Sequence, residues 1–151
     1  MFKRVAASVV AVGAVAVVWA GSATGATGSQ RFSISVNGSN GTVWASGPIS
    51  GSGRDITFSR GRRNGEDEFI LPAGKVFVAH SASSQSQSFD PRSCLTRFSE
   101  SGTYQLLSGT GAYRGVSGSG TYTARGTTRG CDPKTATTSY FVSASGWTSL
   151  P

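Results

Sequence analysis

Acids and histidine are what this chain is short of. It has 7 Asp and Glu and 1 His in 151 residues, and only 14% of it is charged, against roughly a quarter in an ordinary soluble protein. Chemistry that needs several ionisable groups therefore has few places to sit. The net charge of +7 follows from the same shortage, since 14 Lys and Arg meet only 7 acids. Two Cys and one His cannot by themselves fill a four-ligand zinc site. Good helix formers are scarce too, because Gly, Ser and Thr make up 61 positions. Gly loses the most entropy in a helix, and Ser and Thr compete for its backbone hydrogen bonds. A helical bundle is excluded, and the length holds one domain.

Only one long apolar run is present, and it lies at the N-terminus. Lys3 and Arg4 precede an Ala- and Val-rich stretch from Val5 to Ala20, and small residues follow to Gly28. This is the pattern of a secretory signal peptide. A retained single-pass anchor is the rival reading, but a spanning helix wants about 20 strongly apolar residues. Small residues at the minus-three and minus-one positions allow cleavage after Ala23 or Ala26, and the reading taken is Ala26. Residues 1–26 are then a leader with a signal helix, and 27–151 the mature domain. Losing Lys3 and Arg4 takes the charge from +7 to +5, and no membrane span is left. The protein is expected outside the cell or associated with its envelope.

Export settles how the cysteines read. In an oxidising compartment an even pair is most simply a disulfide, so Cys94 and Cys131 are expected to be bonded. The bond would close a loop of 37 residues.

Period-two alternation dominates the mature chain. Phe32, Ile34 and Val36 fall on every second position, and Asn37-Gly38 supplies a turn. Thr42–Ala45 resumes the pattern with Val43 and Ala45 on one face. Arg54–Ser59 continues it with Ile56 and Phe58 pointing the same way. A basic, Gly-rich loop from Arg60 to Gly65 and the acidic Glu66-Asp67-Glu68 link to Phe69-Ile70-Leu71 and the turn Pro72-Ala73-Gly74. Lys75–His80 reads as a strand, and Ser81–Ser88 as strand or loop. Leu95–Phe98, Gly102–Leu107, Ala112–Val116, Gly120–Arg125 and Ser139–Trp147 are further strands. Eight to ten short strands at this spacing predict an all-β sandwich or barrel. The in-strand Gly115, Gly118 and Gly120 suit the sharp bends of a small closed barrel.

The stretch from Gly102 to Tyr122 carries a strand, then Gly109-Thr110-Gly111-Ala112-Tyr113-Arg114-Gly115, then a returning Gly118-Ser119-Gly120 strand. It resembles the corresponding hairpin of the allene oxide cyclase and dirigent-like barrels, and most of all a group of small secreted bacterial proteins of that barrel type. Gly47-Pro48-Ile49-Ser50-Gly51-Ser52-Gly53, the Phe69–His80 stretch and Ser88–Cys94 are similar to that group as well, so the resemblance covers most of residues 31–147. It implies an eight-stranded antiparallel barrel that uses no cofactor. Plant proteins of this kind hold small hydrophobic molecules and steer their cyclisation or coupling, and no activity is carried over here residue by residue.

Candidate chemistry is sparse. A Ser-His-Asp triad would have to use His80, with Asp67 or Asp90 orienting it. Paired carboxylates could come from Asp55, Glu66, Asp67, Glu68, Asp90 and Glu100, three of which crowd the presumed loop, where they would balance Arg60, Arg62 and Arg63. Gly109-Thr110-Gly111 lies between strands, whereas phosphate-cradling loops lead into a helix. Arg60, Arg62 and Arg63, with Arg54 nearby, could hold an anionic envelope polymer; nucleic acid is not an expected partner of an exported chain. Tyr104, Tyr113, Tyr122, Tyr140 and Trp147 lie on alternating strands, so some should face inward. Tyr104, Tyr113 and Tyr122 are the candidate ligand contacts.

The first reading is therefore an all-β, disulfide-closed, small antiparallel barrel, non-enzymatic and with room for a small apolar ligand. Its rival is a cofactor-free enzyme of cyclase or dirigent type, in which His80, Asp67 or Asp90 moves a proton on a small hydrophobic substrate. A third is an envelope protein acting through its basic loop. A lumen packed shut would leave binding to the loops or outer surface; an open lumen with an inward acid would favour the enzyme.

Overall fold

The computed structural model describes residues 25–59 and 63–151. Nearly all of the predicted leader lies outside these residues, as do Arg60 and Arg62 of the basic loop. Eight antiparallel strands follow one another around a closed barrel: β1 (Thr27–Asn37), β2 (Asn40–Ser46), β3 (Gly51–Ser59), β4 (Asn64–Leu71), β5 (Gly74–Asp90), β6 (Leu95–Gly109), β7 (Ser117–Arg129) and β8 (Thr137–Ser149). Each pairs with the next, and β8 returns to β1 along the whole length of β1, from Thr27 opposite Ser149 to Asn37 opposite Ser139. The small antiparallel barrel of about eight strands expected from the sequence is the observed fold. Among the described residues no helix is long and apolar enough to cross a membrane.

Several elements differ from the sequence reading, each for a physical reason. Leu95–Phe98 and Gly102–Leu107 are one strand, because β6 pairs with β7 without a break from Leu95 to Leu106. Ser81–Ser88 is strand as well, carried by its pairing with β6 although its own pattern is polar. Ala112–Val116 is not a strand: Gly111–Tyr113 forms a 3-10 turn, and Gly111 and Gly115 take φ of 61° and 79°, outside strand geometry. Glu66-Asp67-Glu68 is not loop but the middle of β4, bonded on both sides to β3 and β5. In β3 the inward face is reversed. Asp55 is buried and Phe58 is half exposed, so Asp55 and Thr57 point inward and the apolar Ile56 and Phe58 outward.

The up-and-down order gathers the β2–β3, β4–β5 and β6–β7 connections at one end, where Leu150 N–H bonds to Ala26 C=O. Ile49, Val76, Leu106, Tyr113 and Val116 plug this end. Gln30, fully buried, fastens it: its amide donates to the carbonyls of Arg31, Ser46 and Ile49 and accepts from Ile49 N–H. Ala112 N–H bonds across to Ala73 C=O, and Tyr113 Oη donates to Ser50 C=O at 3.3 Å. At the other end Cys94, in the β5–β6 turn, is bonded to Cys131, in the β7–β8 connection, with a Cα separation of 5.0 Å.

Candidate active site in the barrel lumen

Between the plug and the disulfide end the lumen is open, with a cavity of about 220 Å³. Polar groups reach it from four consecutive strands: Asp55 and Thr57 from β3, Asp67 from β4, His80 from β5, and Glu100 and Tyr104 from β6. Tyr122 and Tyr140 close the circle from β7 and β8.

Glycine makes the room. His80 is the direct cross-strand partner of Gly65, Tyr104 of Gly120, Phe98 of Gly126, and Asp55 of Gly41. In each pair the glycine lacks the Cβ that would strike the opposite side chain. A Cβ on Gly120 would stand 2.6 Å from the Tyr104 ring, and one on Gly126 2.6 Å from Phe98. The Tyr104 hydroxyl lies over Gly146 in the same way. Interior glycines usually mark a bend or a close approach; at Gly65 what approaches is the His80 ring alone, and at Gly41, Gly120, Gly126 and Gly146 it is a lumen side chain together with a strand carbonyl.

Around the cavity the rings meet edge to face or tilted. Phe32 contacts Phe69 at 5.3 Å and Tyr104 at 5.9 Å, and His80 contacts Tyr122 at 5.6 Å. Asp67 Oδ2 lies 3.6 Å from His80 Nε2. Thr57 Oγ1 donates to Asp55 Oδ2 at 3.4 Å. Glu100 accepts from the Tyr122 hydroxyl and, at 2.6 Å, from the Gln85 amide. Among the described residues that line the cavity, three polar atoms are buried with no partner: Asp55 Oδ1, His80 Nδ1 and the Tyr104 hydroxyl.

This setting moves the titrations. Burial, reinforced by the charge of Asp67 and opposed by the Thr57 bond and by His80, pushes Asp55 up to about 7. Burial raises Asp67 to about 6. His80 is lowered by burial despite the pull of Glu100 and Asp55, so its imidazole is neutral at neutral pH. Burial raises Tyr104 and Tyr140, and burial followed by the bond to Glu100 raises Tyr122. The lumen thus holds a carboxyl poised near neutrality and a neutral imidazole, the pairing that general acid–base chemistry uses. Among the described residues no group of three His, Cys, Asp or Glu side chains is placed to hold a metal ion.

Of the residues singled out from the sequence, His80, Asp67, Tyr104 and Tyr122 come together here. Asp90 does not. It is fully exposed at the end of β5, where its carboxylate accepts from Arg92 N–H and the Ser93 hydroxyl, which pull it below the usual range. Tyr113 is buried in the plug, where it is tied to Ser50. Trp147, 57% exposed, faces out. In the sequence Asp55 and Glu100 stand out only as two acids among seven, and nothing marks Thr57 or Phe98 as a site residue. For Asp55 and Phe98 the one signal is a partner glycine, Gly41 and Gly126, readable only once the register is known; Thr57 and Glu100 pair with Asp67, Gln85 and Ala124 and have no such signal. Comparison with protein-family models, curated proteins and solved structures finds no match for this chain. What fold and site define together is a small closed barrel with an acid-lined, aromatic lumen.

Proposed function

We propose that the lumen is an active site for cofactor-free general acid–base catalysis on a small, largely apolar molecule. The observation that carries this reading is Asp55: a carboxyl 6% exposed, with one oxygen unpaired, facing an open cavity beside Asp67 and His80. Burying such a group without a full set of partners is costly. A barrel that had only to pack its core or hold an apolar ligand would be more stable with an apolar residue there. Size narrows the substrate. A cavity of about 150 Å³ admits benzene, so about 220 Å³ suits one ring with a short side chain. The resemblance of Gly102–Tyr122 to the allene oxide cyclase and dirigent-like barrels supports the same reading. The Cys94–Cys131 bond suits an oxidising compartment, in keeping with export directed by residues 1–26.

The test is proton exchange. Phenylacetone in D2O at neutral pD, followed by NMR, should lose its α-protons faster with the protein than in buffer alone. Asp55→Asn and Asp67→Asn should each cut the acceleration by about 10²-fold, the usual share of one acid–base group. Exchange at the buffer rate, or acceleration untouched by both substitutions, would overturn the reading.

A further inference from the structure

We infer that the molecule held in the lumen is an organic cation, a protonated amine built on a single ring; this rests on the lumen being the substrate site. Three carboxyl groups, Asp55, Asp67 and Glu100, face the cavity from three strands, and among the described residues no lysine or arginine lines it. Among the described lining residues His80 is the one basic side chain. Acids alone would not make a site, but two further features point to a ligand. Asp55 and Tyr104 are 6% and 5% exposed, line the cavity, and each keeps a buried oxygen with no partner, Asp55 Oδ1 and Tyr104 Oη. A carboxylate oxygen only accepts, and an ammonium only donates, with up to three N–H groups. An alcohol offers one donor, and a carboxylate none while adding like charge.

The walls agree with the polar groups. Phe32, Phe69, Phe98, Tyr104, Tyr122 and Tyr140 surround the cavity, and a cation within about 6 Å of a ring face is drawn to it, most strongly when desolvated. One ligand class thus uses both features of the lumen, its carboxyl groups and its rings. A cation would also favour the ionised forms of Asp55 and Asp67, whose burial otherwise disfavours them. The other titratable groups facing it are His80, Glu100, Tyr104, Tyr122 and Tyr140.

Calorimetry with three probes of nearly equal size decides the matter: 2-phenylethylamine, 2-phenylethanol and phenylacetate, each titrated into the purified protein at pH 8. The amine should bind at least tenfold tighter than the alcohol, and phenylacetate should not bind. Lowering the pH to 5 protonates Asp55 and Asp67 and should weaken the amine at least tenfold while leaving the alcohol unchanged. Asp55→Asn, shown to be folded by circular dichroism and by its binding of the alcohol, should erase most of the amine's advantage. Should that variant fail to fold, Asp67→Asn is read in the same way. Equal binding of amine and alcohol, preference for phenylacetate, an advantage that survives both substitutions, or no binding at all would overturn the inference. Amine binding without proton exchange on phenylacetone would sink the catalytic reading and leave a cation-binding barrel. Exchange without amine preference would do the reverse.

Discussion

The imidazole of His80 lies over Gly65, its antiparallel partner on the neighbouring strand, so closely that a Cβ on Gly65 would stand 2.3 Å from Nε2. Space for the ring exists because Gly65 has no side chain. Gly65→Ala should therefore push the imidazole away from Asp67 and cost about 1–3 kcal/mol, the usual range for overpacking a filled interior. In a His80→Ala background the same substitution meets no ring. Urea unfolding of the two single variants and the double variant should show a coupling of at least about 1 kcal/mol. Additive losses would mean that backbone, not the imidazole, resists the methyl group.

Stability should fall as the medium turns alkaline, and Asp55 is the reason. Folding raises its carboxyl to about 7 from about 3.9 in an unfolded chain. The folded state thus binds the extra proton between those values. Its contribution is whole below the unfolded value and is lost as pH climbs through 7. His80 acts in the opposite sense, since its lowered value removes stability as pH drops toward and below about 6.5. From pH 6.5 to 8 Asp55 dominates, with a small share from Asp67, raised to about 6, and a partial offset from His80. Across that range the unfolding free energy should drop by about 0.5–1 kcal/mol. Asp55→Asn should remove most of that slope in urea titrations at the two pH values, and an unchanged slope would place the proton elsewhere.

The barrel was legible because alternation and core face coincide over most of its circumference. Phe32, Ile34 and Val36 are apolar in sequence and inward in space, so periodicity alone orients β1. In β3 the two part company. The inward positions carry Asp55 and Thr57, and the apolar Ile56 and Phe58 face out, so the same rule turns the strand over. The proposed function accounts for the inversion, since inward positions that serve a site are released from being apolar. Glu66-Asp67-Glu68 reads as loop from composition, yet it pairs on both sides, and no local signal marks Asp67 as the inward member. Glu100 fell in the gap between two predicted strands that are one. The cysteine pair, by contrast, needed only an even count and a compartment.

The Cys94–Cys131 bond should be worth much of the fold's stability. It closes a loop of 37 residues, which the chain-entropy treatment values at about 4 kcal/mol. Replacing both cysteines with serine should lower the urea midpoint accordingly. Denatured, unreduced protein should contain no thiol that a reagent can titrate; two reactive thiols would show that the bond does not form.

Gln30 should prove as important to the plug as any apolar residue. Its side chain bonds the Ile49 N–H and C=O in the buried corner at the β2–β3 turn, and the part-buried carbonyls of Arg31 and Ser46. Gln30→Met keeps the volume but strands the buried Ile49 groups, at about 1–3 kcal/mol for each one left unpaired. A loss below about 1 kcal/mol in urea unfolding would mean that the turn relaxes and finds other partners.

Two lumen tyrosines differ by one hydrogen bond, and that difference separates structure from function. The Tyr122 hydroxyl donates to Glu100, a charged acceptor, so Tyr122→Phe should cost about 1.5–3 kcal/mol. The Tyr104 hydroxyl is buried without a partner. Its removal in Tyr104→Phe strands nothing and relieves an unpaid desolvation, so stability should hold or rise by up to about 1 kcal/mol. If that hydroxyl serves a bound molecule, the same variant should nevertheless weaken 2-phenylethylamine several-fold in calorimetry. A variant that keeps both its stability and its affinity would leave the hydroxyl without a role and place the cation's contacts on the carboxylates and ring faces alone. A loss of stability instead would reveal a structural partner, and the orphaned hydroxyl would no longer point to a ligand.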